Sequence, residues 1–505
     1  MFKDLENNII MKISIQSSPV EHIAADALAV LCFEVAEGQT PSDPAPANQN
    51  GWLTDLRASG EFSGKLYETA IRHRPAGLAA KRLVLVGGGK VDKFSPVEAR
   101  RVAGALVRSL KAKGVKSLAL WLDSTQAMEA NILAAAEGAL IGAWEPDKHK
   151  SDIKKDSAKA IDTFQVAVPE LRPELESALD RGRIIGEAQN FTRDLVNEPA
   201  NLLTPAKLAD AARNMASEQG LEIEVLDREA MGQLGMGSLL GVAMGSDEPP
   251  YLIAVKYKPT AAQGGETQLA YVGKGVTFDT GGLSIKPSEG MERMKYDMAG
   301  AAAVLGAMQA IAQLKPPVPI TAYIPTVENM INGGAQRPGD IVTAMGGKTI
   351  EVLNTDAEGR LILADAITYA KHKGATHIVD AATLTGAIGI ALGHHNIGAF
   401  TNDQDFCDRL IASTKTAGEK TWQLPMDDEY KEYLKSAFAD IPNIGGRYGG
   451  SITAAWFLRE FADPTPWVHL DIAATAWLDE GKSWISKGPT GVAVRSFIQL
   501  ALDWK

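Results

Sequence analysis

Short apolar segments with strand character alternate with helical segments along most of this chain. Near the start, segments 27–35 and 82–88 are typical of buried strands, and segment 95–98, Ser-Pro-Val-Glu, is a capping box with proline at the first helical position. Segment 117–123 has the composition of the next strand. Because a strand, a helix and a strand in this order favour a parallel βαβ unit, the alternation predicts an α/β fold.

A second alternation of strands and alanine-rich helices begins near residue 200. A chain of 505 residues is also too long for one ordinary core, so two domains are expected. Segment 145–162 is dense in charge with little apolar periodicity, which is typical of a domain boundary, and a helix over about 172–195 follows it. We predict an N-terminal α/β domain over 1–165, with 1–10 as a disordered extension or as residues upstream of a native start at Met11, a linker helix region over 166–199 and a larger domain over 200–505.

The overall charge and the cysteine content argue against several classes of protein. A net charge of −11 disfavours nucleic acid as the default partner. Only two cysteines occur, Cys32 and Cys407, so neither a disulfide framework nor a cysteine-based zinc site is available, and this usage fits the reducing cytoplasm. The sequence has no run of about 18 apolar residues, and its first residues do not form a signal peptide, so we expect neither a membrane span nor secretion.

Several motifs of known chemistry are absent or incomplete. Segment 87–90, Gly-Gly-Gly-Lys, matches neither GxGxxG nor GxxxxGK[ST], so a tight strand-to-helix turn is the favoured interpretation. The sequence contains neither HExxH nor GxSxG. His394 and His395 are adjacent and face apart, which makes a poor chelate, and His469 inside a strand is more typical of a hydrogen-bonded core histidine than of a ligand. A histidine-built metal site is therefore not expected.

The polar run 273–300 and the stretch NTDAEGRL at 354–361 contain the strongest candidates for chemistry. Four of their acidic residues are the candidates: Asp279, Asp297, Asp356 and Glu358. Lys274 belongs to segment 269–279, which is typical of a buried strand, where an unpaired lysine is costly. Oxygen-rich ligand sets suit Mg, Mn or Zn, and bridging carboxylates hold two metal ions ~3.5–4 Å apart. Spacing alone supports a two-metal site and an ordinary solvated loop with ion pairs about equally.

A set of matching segments consists of NTDAEGRL at 354–361 and of 193–205, 272–287, 294–306 and 467–473. In sequence, order and spacing this set resembles the leucyl aminopeptidase (cytosol aminopeptidase) family of dinuclear metallo-exopeptidases. The resemblance extends from about residue 193 to the C-terminus, whereas the N-terminal domain is similar to the family's only in general layout. It implies a smaller macro-domain-like N-terminal α/β domain and a larger zinc-peptidase-like α/β domain with a mixed central sheet, which would be the catalytic metallopeptidase domain.

The resemblance also implies two divalent metal ions per subunit, Mn²⁺ or Zn²⁺. The tighter ion would be held by Lys274, Asp279, Asp297 and Glu358. The more exchangeable ion would be held by Asp279, Asp356 and Glu358. Asp279 and Glu358 would then bridge the pair.

Other residues take catalytic and binding roles by the same resemblance. Lys286 would stabilise the developing oxyanion, and Arg360 would hold a bicarbonate ion that relays a proton. The pocket for the substrate's side chain would be lined by Met294, Thr383, Gly386 and 474–476, with Ala476 at its end. The implied activity is removal of leucine and other apolar residues from peptides with a free N-terminus, in intracellular peptide turnover, by a cytoplasmic homohexamer.

Two other classes of function stay open at this point. Another dinuclear hydrolase, such as a carboxypeptidase or a phosphoesterase, would use similar acidic ligands but would not require a free amino group on its substrate. A binding module is the alternative from a different class, with the N-terminal domain holding nucleotide or DNA. The acidic net charge and the incomplete phosphate loop argue against that alternative.

Overall fold

The computed structural model describes residues 11–35, 44–151, 160–260 and 267–504. The extension expected at 1–10 lies outside the described residues, as does part of the charged segment 145–162. The chain divides into two compact units: Met1–Asn190 with Asp479–Gly488, and Phe191–Leu478 with Pro489–Lys505.

The first unit contains a six-stranded sheet in the order β1-β6-β5-β2-β4-β3. All neighbours are parallel except β3, which runs antiparallel to β4. The strand β2 is buried along its whole length, as expected for a parallel strand. The strands are β1 Lys12–Ser17, β2 Ala27–Cys32, β3 Thr69–His73, β4 Arg82–Gly87, β5 Ser117–Trp121 and β6 Thr163–Val168.

Four α-helices begin within the described residues of this part of the chain: α1 Trp52–Ser59, α2 Pro96–Lys111, α3 Glu129–Ala143 and α4 Pro173–Asn197. The predicted capping box is present at the start of α2, where Ser95 and Glu98 satisfy each other's backbone groups. The helix expected at about 172–195 is α4, and the boundary between the two units falls within it.

The Gly-Gly-Gly-Lys segment is a packed turn between β4 and α2. A Cβ added to Gly87 would lie 1.8 Å from the carbonyl oxygen of Lys65, and Gly89 has a φ of 75°. Glycine is needed here because another backbone segment occupies the space and because the turn enters the left-handed region. The prediction of a tight turn is confirmed.

The second unit is built on a nine-stranded mixed sheet, which confirms the predicted fold class. Its order is β16-β15-β18-β14-β9-β11-β8-β7, with β10 beside β11. Its strands are β7 Glu222–Leu226, β8 Tyr251–Tyr257, β9 Leu269–Gly273, β10 Gly275–Asp279, β11 Ile320–Asn329, β14 His377–Ala382, β15 Ile397–Thr401, β16 Thr421–Gln423 and β18 Trp467–Asp471. A small sheet consists of β12 Ile341–Thr343, β13 Thr349–Glu351 and β17 Ile441–Pro442, and two-residue strands lie at β19 Trp477–Leu478 and β20 Gly488–Pro489.

The helices of the second unit pack largely against this sheet and each other. Both α8 and α9 contact the central strands β9, β11 and β14. The helices are α5 Pro205–Gln219, α6 Arg228–Gln233, α7 Gly237–Val242, α8 Ala299–Leu314, α9 Glu358–His372, α10 Gly386–Leu392, α11 Gln404–Thr416, α12 Gly450–Ala462 and α13 Val494–Leu502. Among the helices in the described ranges, none combines the length and the apolar character needed to cross a membrane.

Segment 269–279 differs from its prediction as one strand. The chain forms β9, breaks at Lys274 and continues as β10, which pairs with the far end of β11. At the break, a Cβ on Gly273 would lie 2.6 Å from the carbonyl oxygen of Gly300, so the start of α8 packs directly on the backbone. Lys274 therefore lies between β9 and β10 and belongs to neither strand.

Candidate active site

The ends of parallel strands bring the predicted site residues to one edge of the nine-stranded sheet. The strands β9, β14 and β18 are parallel neighbours, and β10 is parallel to β11, which in turn is parallel to β9. Lys274 follows β9 and Asp279 ends β10, while Asp297 precedes α8 and Glu358 begins α9. The carboxyl edge of such a sheet is the usual place for a ligand site in α/β proteins.

Lys274 is buried between two carboxylates. Its Nζ lies 2.7 Å from Asp297 Oδ1 and 2.8 Å from Glu358 Oε1, and it donates a hydrogen bond to the carbonyl oxygen of Thr383 at 2.9 Å. Thr383 Oγ1 donates to Asp297 Oδ1 at 2.7 Å. A Cβ added to Gly359 would lie 2.8 Å from Lys274 Nζ, so the glycine in NTDAEGRL leaves the room that this lysine occupies.

Lys286 pairs with the other two acidic residues. Its Nζ lies 2.8 Å from Asp279 Oδ2, and it also forms an ion pair with Asp356 Oδ1. Asp279 Oδ1 accepts hydrogen bonds from the backbone N–H of Gly281 and from Asn329 Nδ2, both at 2.8 Å, which fixes the carboxylate. The Lys286 side chain is 21% exposed, so its ammonium group is the more accessible of the two lysines.

Burial and mutual repulsion shift the pKa values of the acidic groups. Burial, reinforced by the charge of Glu358, raises the pKa of Asp279 to about 6. Burial raises the pKa of Asp297 well above its usual range and also raises the pKa of Asp356. Burial acts in the same direction on Glu358, but the two nearby ammonium groups outweigh it and lower the pKa of that carboxyl group.

Burial and neighbouring charges oppose each other at the two lysines. Burial alone would lower the pKa of Lys274, but the charges of Asp297, Glu358 and Asp279 outweigh burial and raise it. The same balance raises the pKa of Lys286. Two ammonium groups thus offset much of the negative charge of the four carboxylates.

The donor set fits divalent metal ions. Asp279, Asp356 and Glu358 each offer a carboxylate oxygen, and these oxygens lie within 4.8 Å of one another. Asp297 Oδ2 is buried and receives no hydrogen bond from any residue that the structure describes. A buried carboxylate oxygen without a donor is costly, and a cation would satisfy it. Oxygen ligands of this kind suit Mn²⁺, Mg²⁺ or Zn²⁺.

Arg360 follows the acidic motif on α9 and is 7% exposed. It donates from one terminal nitrogen to the carbonyl oxygen of Asn443 at 2.8 Å, whereas its Nε has no hydrogen-bond partner among the described residues. Burial lowers the pKa of Arg360 to about 10, so the guanidinium group stays charged at neutral pH. A charged donor with free hydrogen-bonding capacity in a cavity wall suits a small planar anion.

All seven predicted metal and catalytic residues line one cavity of ≈ 530 Å³. Met294, Thr383 and Gly386 from the predicted substrate pocket line it as well, and so does Ala474. Ala476 is 2% exposed and is not among the lining residues. Six lining residues lie outside the segments singled out in the sequence: Leu384, Thr385, Ala387, Gly389, Ile444 and Gly450.

Comparison with protein families identifies the chain. The model of the cytosol aminopeptidase family, catalytic domain, matches residues 190–498, and that of the family's N-terminal domain matches residues 29–152. The chain belongs to the cytosol aminopeptidase family. A probable cytosol aminopeptidase of Solibacter usitatus is 60% identical over 98% of this chain and 100% of its own length. One of Acidobacterium capsulatum is 46% identical over 97% of this chain and 99% of its own length.

Solved structures agree with this assignment. A substituted tomato leucine aminopeptidase superposes with a TM-score of 0.87 at 35% identity, covering 97% of this chain and 96% of that one. The bottromycin maturation enzyme BotP in complex with Mn superposes with a TM-score of 0.83 at 34% identity, covering 95% and 99%. The chain is therefore a metal-dependent aminopeptidase of this family.

One histidine prediction has a clear outcome in this aminopeptidase, and a second histidine lies at the cavity. His469 is fully buried, and its Nδ1 lies 2.6 Å from Asp380 Oδ1, so the prediction of a hydrogen-bonded core histidine is confirmed. Burial opposes protonation of His469, but Asp380 outweighs it and raises the pKa. His394 lines the cavity and hydrogen-bonds through Nδ1 to the carbonyl oxygen of Ala474 at 2.9 Å, a placement that spacing in the sequence could not indicate.

Proposed function

We propose that this aminopeptidase removes leucine and other apolar residues from peptides with a free N-terminus, using a pair of divalent metal ions. The observation that carries the proposal is the cavity itself. It combines four carboxylates and two lysines with an apolar lining that includes Met294, Leu384, Ala473 and Ala474. A charged cluster beside an apolar pocket suits a substrate whose amino group and apolar side chain are attached to the same carbon atom.

The metal ligands in this proposal are Lys274, Asp279, Asp297, Asp356 and Glu358. When bound, two divalent ions supply Lewis-acid activation of a water molecule and of the scissile carbonyl group. Manganese is the first metal to test because oxygen ligands predominate and because BotP is described in complex with Mn. Zinc is the alternative metal.

Two residues act on the substrate in this proposal without holding metal. Lys286 has its ammonium group in the cavity wall and donates to the carbonyl oxygen as negative charge develops there. Arg360, which lines the same cavity, would hold a bicarbonate ion with its guanidinium group, and such an anion would supply a proton relay to the leaving amine. The substrate's free α-amino group would bind one of the metal ions through its nitrogen lone pair, which would limit hydrolysis to N-terminal residues.

The proposal also includes a cytoplasmic homohexamer that acts in peptide turnover and has no nucleic acid partner. Its support is the family resemblance of the sequence together with the net charge of −11. The apolar lining discriminates weakly among side chains, because one methylene group in such a pocket is worth about 1–3 kcal/mol.

The test compares Leu-p-nitroanilide with its N-acetylated form before and after treatment with EDTA. We expect hydrolysis of the free amine only, loss of activity with EDTA, and recovery when manganese is added back, with zinc and magnesium as comparisons. Equal hydrolysis of the acetylated form would contradict an aminopeptidase. Full activity in protein that contains no metal by elemental analysis would contradict the metal requirement.

A further inference from the structure

Asp471 ends β18 with a carboxylate group that accepts three hydrogen bonds. Its side chain is buried, with the residue 1% exposed. Oδ1 accepts from the backbone N–H of Leu384 at 3.3 Å and of Ala473 at 3.2 Å, and Oδ2 accepts from Thr385 Oγ1 at 2.6 Å. Its partners therefore come from two loops, which follow the neighbouring parallel strands β14 and β18.

Both loops form walls of the cavity. Leu384, Thr385 and Ala473 line it, whereas Asp471 does not. None of these four residues belongs to the proposed metal ligands. The Asp471 carboxylate thus ties together two cavity walls from a position outside the cavity.

The connection extends from Thr385 into α10. Thr385 Oγ1 accepts from the backbone N–H of Ile388 at 3.2 Å, which caps this helix, and lies 2.8 Å from Ser451 Oγ. Three residues at the start of α10 line the cavity: Gly386, Ala387 and Gly389. Asp471 is therefore connected to the apolar wall through the Thr385 hydroxyl group and two backbone N–H groups, so its substitution should displace that wall.

We propose that Asp471 is a positioning residue that sets the width of the pocket for the substrate's N-terminal side chain. It thereby determines how strongly leucine is preferred over alanine. This inference rests on the proposed function. The role is geometric, because the carboxylate accepts hydrogen bonds from Leu384, Thr385 and Ala473 and is not among the residues that line the cavity.

If the role of Asp471 is geometric, two substitutions at this position should have different effects on the pocket. In Asp471→Ala, two partly buried backbone N–H groups and the Thr385 hydroxyl lose their acceptor, and the two loops are free to move apart. In Asp471→Asn, the amide oxygen still accepts from the two N–H groups. The amide nitrogen can donate to Thr385 Oγ1, whose hydroxyl hydrogen then turns to Ser451 Oγ. The asparagine variant should therefore retain the pocket.

The experiment measures kcat/KM for Leu-p-nitroanilide and Ala-p-nitroanilide with the manganese-loaded full chain. We expect Asp471→Ala to lower the ratio of leucine to alanine by about tenfold, the lower end of what one methylene group is worth in a pocket. Asp471→Asn should keep the ratio near that of the wild type. Metal content should stay unchanged in both variants.

The matched control is Asp365→Ala. Asp365 is also fully buried and accepts two backbone N–H bonds, from Leu239 and Met345 at 2.8 Å each, but it does not line the cavity. Its loss should leave the ratio of leucine to alanine unchanged. If Asp471→Ala does not fold, Thr385→Val removes the same hydroxyl contact while keeping the shape of the side chain, and should also lower the ratio.

Three results would overturn the inference. A folded Asp471→Ala or Thr385→Val protein with an unchanged ratio would show that the wall does not depend on this contact. A parallel fall for both substrates would indicate a merely structural role. An inactive Asp471→Asn protein that still binds metal would assign the role to charge. Wild-type protein inactive on both substrates would instead overturn the proposed function, and this inference with it.

Discussion

The Lys274 side chain lies between Asp297 and Glu358. Its amine can be protonated and pair with these carboxylates, or it can be neutral and offer its lone pair to a metal ion, but not both. The distances of 2.7 and 2.8 Å from Nζ to these carboxylates favour the protonated, ammonium form of Lys274. A metal ion at the same carboxylates repels the proton and favours the neutral amine. Metal binding and protonation therefore compete at Nζ, and a lysine fits this position because its amine can deprotonate.

Substitution of Lys274 tests this competition. Lys274→Arg keeps a positive charge that cannot be removed, so we expect it to lose the tighter metal ion. Lys274→Met should weaken metal binding less, because it removes a ligand without leaving a repelling charge. Elemental analysis after gel filtration measures both. Two firmly held ions in the arginine variant would show that Lys274 is only an ion-pair partner.

The side chains of Lys286 and Asp279 are in contact, yet their substitution should affect different properties of the enzyme. Lys286→Ala removes an oxyanion donor, so we expect kcat to fall about 10²–10³-fold with metal content unchanged. Asp279→Ala removes a carboxylate proposed to bridge both ions, so metal content itself should fall. Steady-state kinetics and elemental analysis on the same preparations separate the two roles. Loss of metal from the Lys286 variant would refute its assignment as a catalytic residue.

Some site residues could be predicted from the sequence and others could not. Asp356 and Glu358 lie two residues apart in a distinctive motif, and Lys274 was conspicuous as a charge in an apolar strand. Thr385 and His394 reach the cavity only because β14 and β18 are neighbours. Sequence spacing contains no information about that pairing, so no local pattern could have indicated them.

Close backbone packing at the start of α8 places Asp297 in the site. A Cβ added to Gly300 would lie 2.0 Å from the carbonyl oxygen of Ala381, the penultimate residue of β14. The helix can approach the strand this closely only because residue 300 is glycine. The same helix start packs on Gly273, beside the break in the predicted single strand 269–279, so long-range packing overrides strand propensity there.

Gly300→Ala should therefore displace the start of α8. We expect a loss of stability of about 1–3 kcal/mol from overpacking, together with weaker metal binding because Asp297 precedes the helix. Urea denaturation and a manganese titration measure the two effects. Gly333→Ala is the control, since nothing lies within 4 Å of an added Cβ there, and it should change neither quantity. A Gly300→Ala protein with unaltered stability would contradict the packing argument.

The alternation of strands and helices predicted the α/β class, because hydrophobic periodicity directly reflects which faces are buried, whereas the mixed sheet of the second unit was implied by the family resemblance alone. The return of Asp479–Gly488 to the first unit was not predictable, because it depends on contacts between residues far apart in sequence. Assembly is a further property that a single chain does not display.

The proposed homohexamer predicts the mass of the whole particle. Light scattering coupled to gel filtration should give six times the 53.8 kDa of one chain. We expect this mass to persist on dilution to working concentrations, because permanent interfaces bury large apolar areas. A mass of one chain at those concentrations would contradict the hexamer while leaving the proposed chemistry untouched.

The central claim is that two metal ions bind among Lys274, Asp279, Asp297, Asp356 and Glu358. Crystals of the manganese-loaded protein, measured at wavelengths on both sides of the manganese absorption edge, locate such ions directly. The claim predicts two anomalous peaks in the cavity, one next to Lys274 and Asp297 and the other next to Asp356. An anomalous map with no peak among these five residues, from protein that is active and contains manganese, would contradict it.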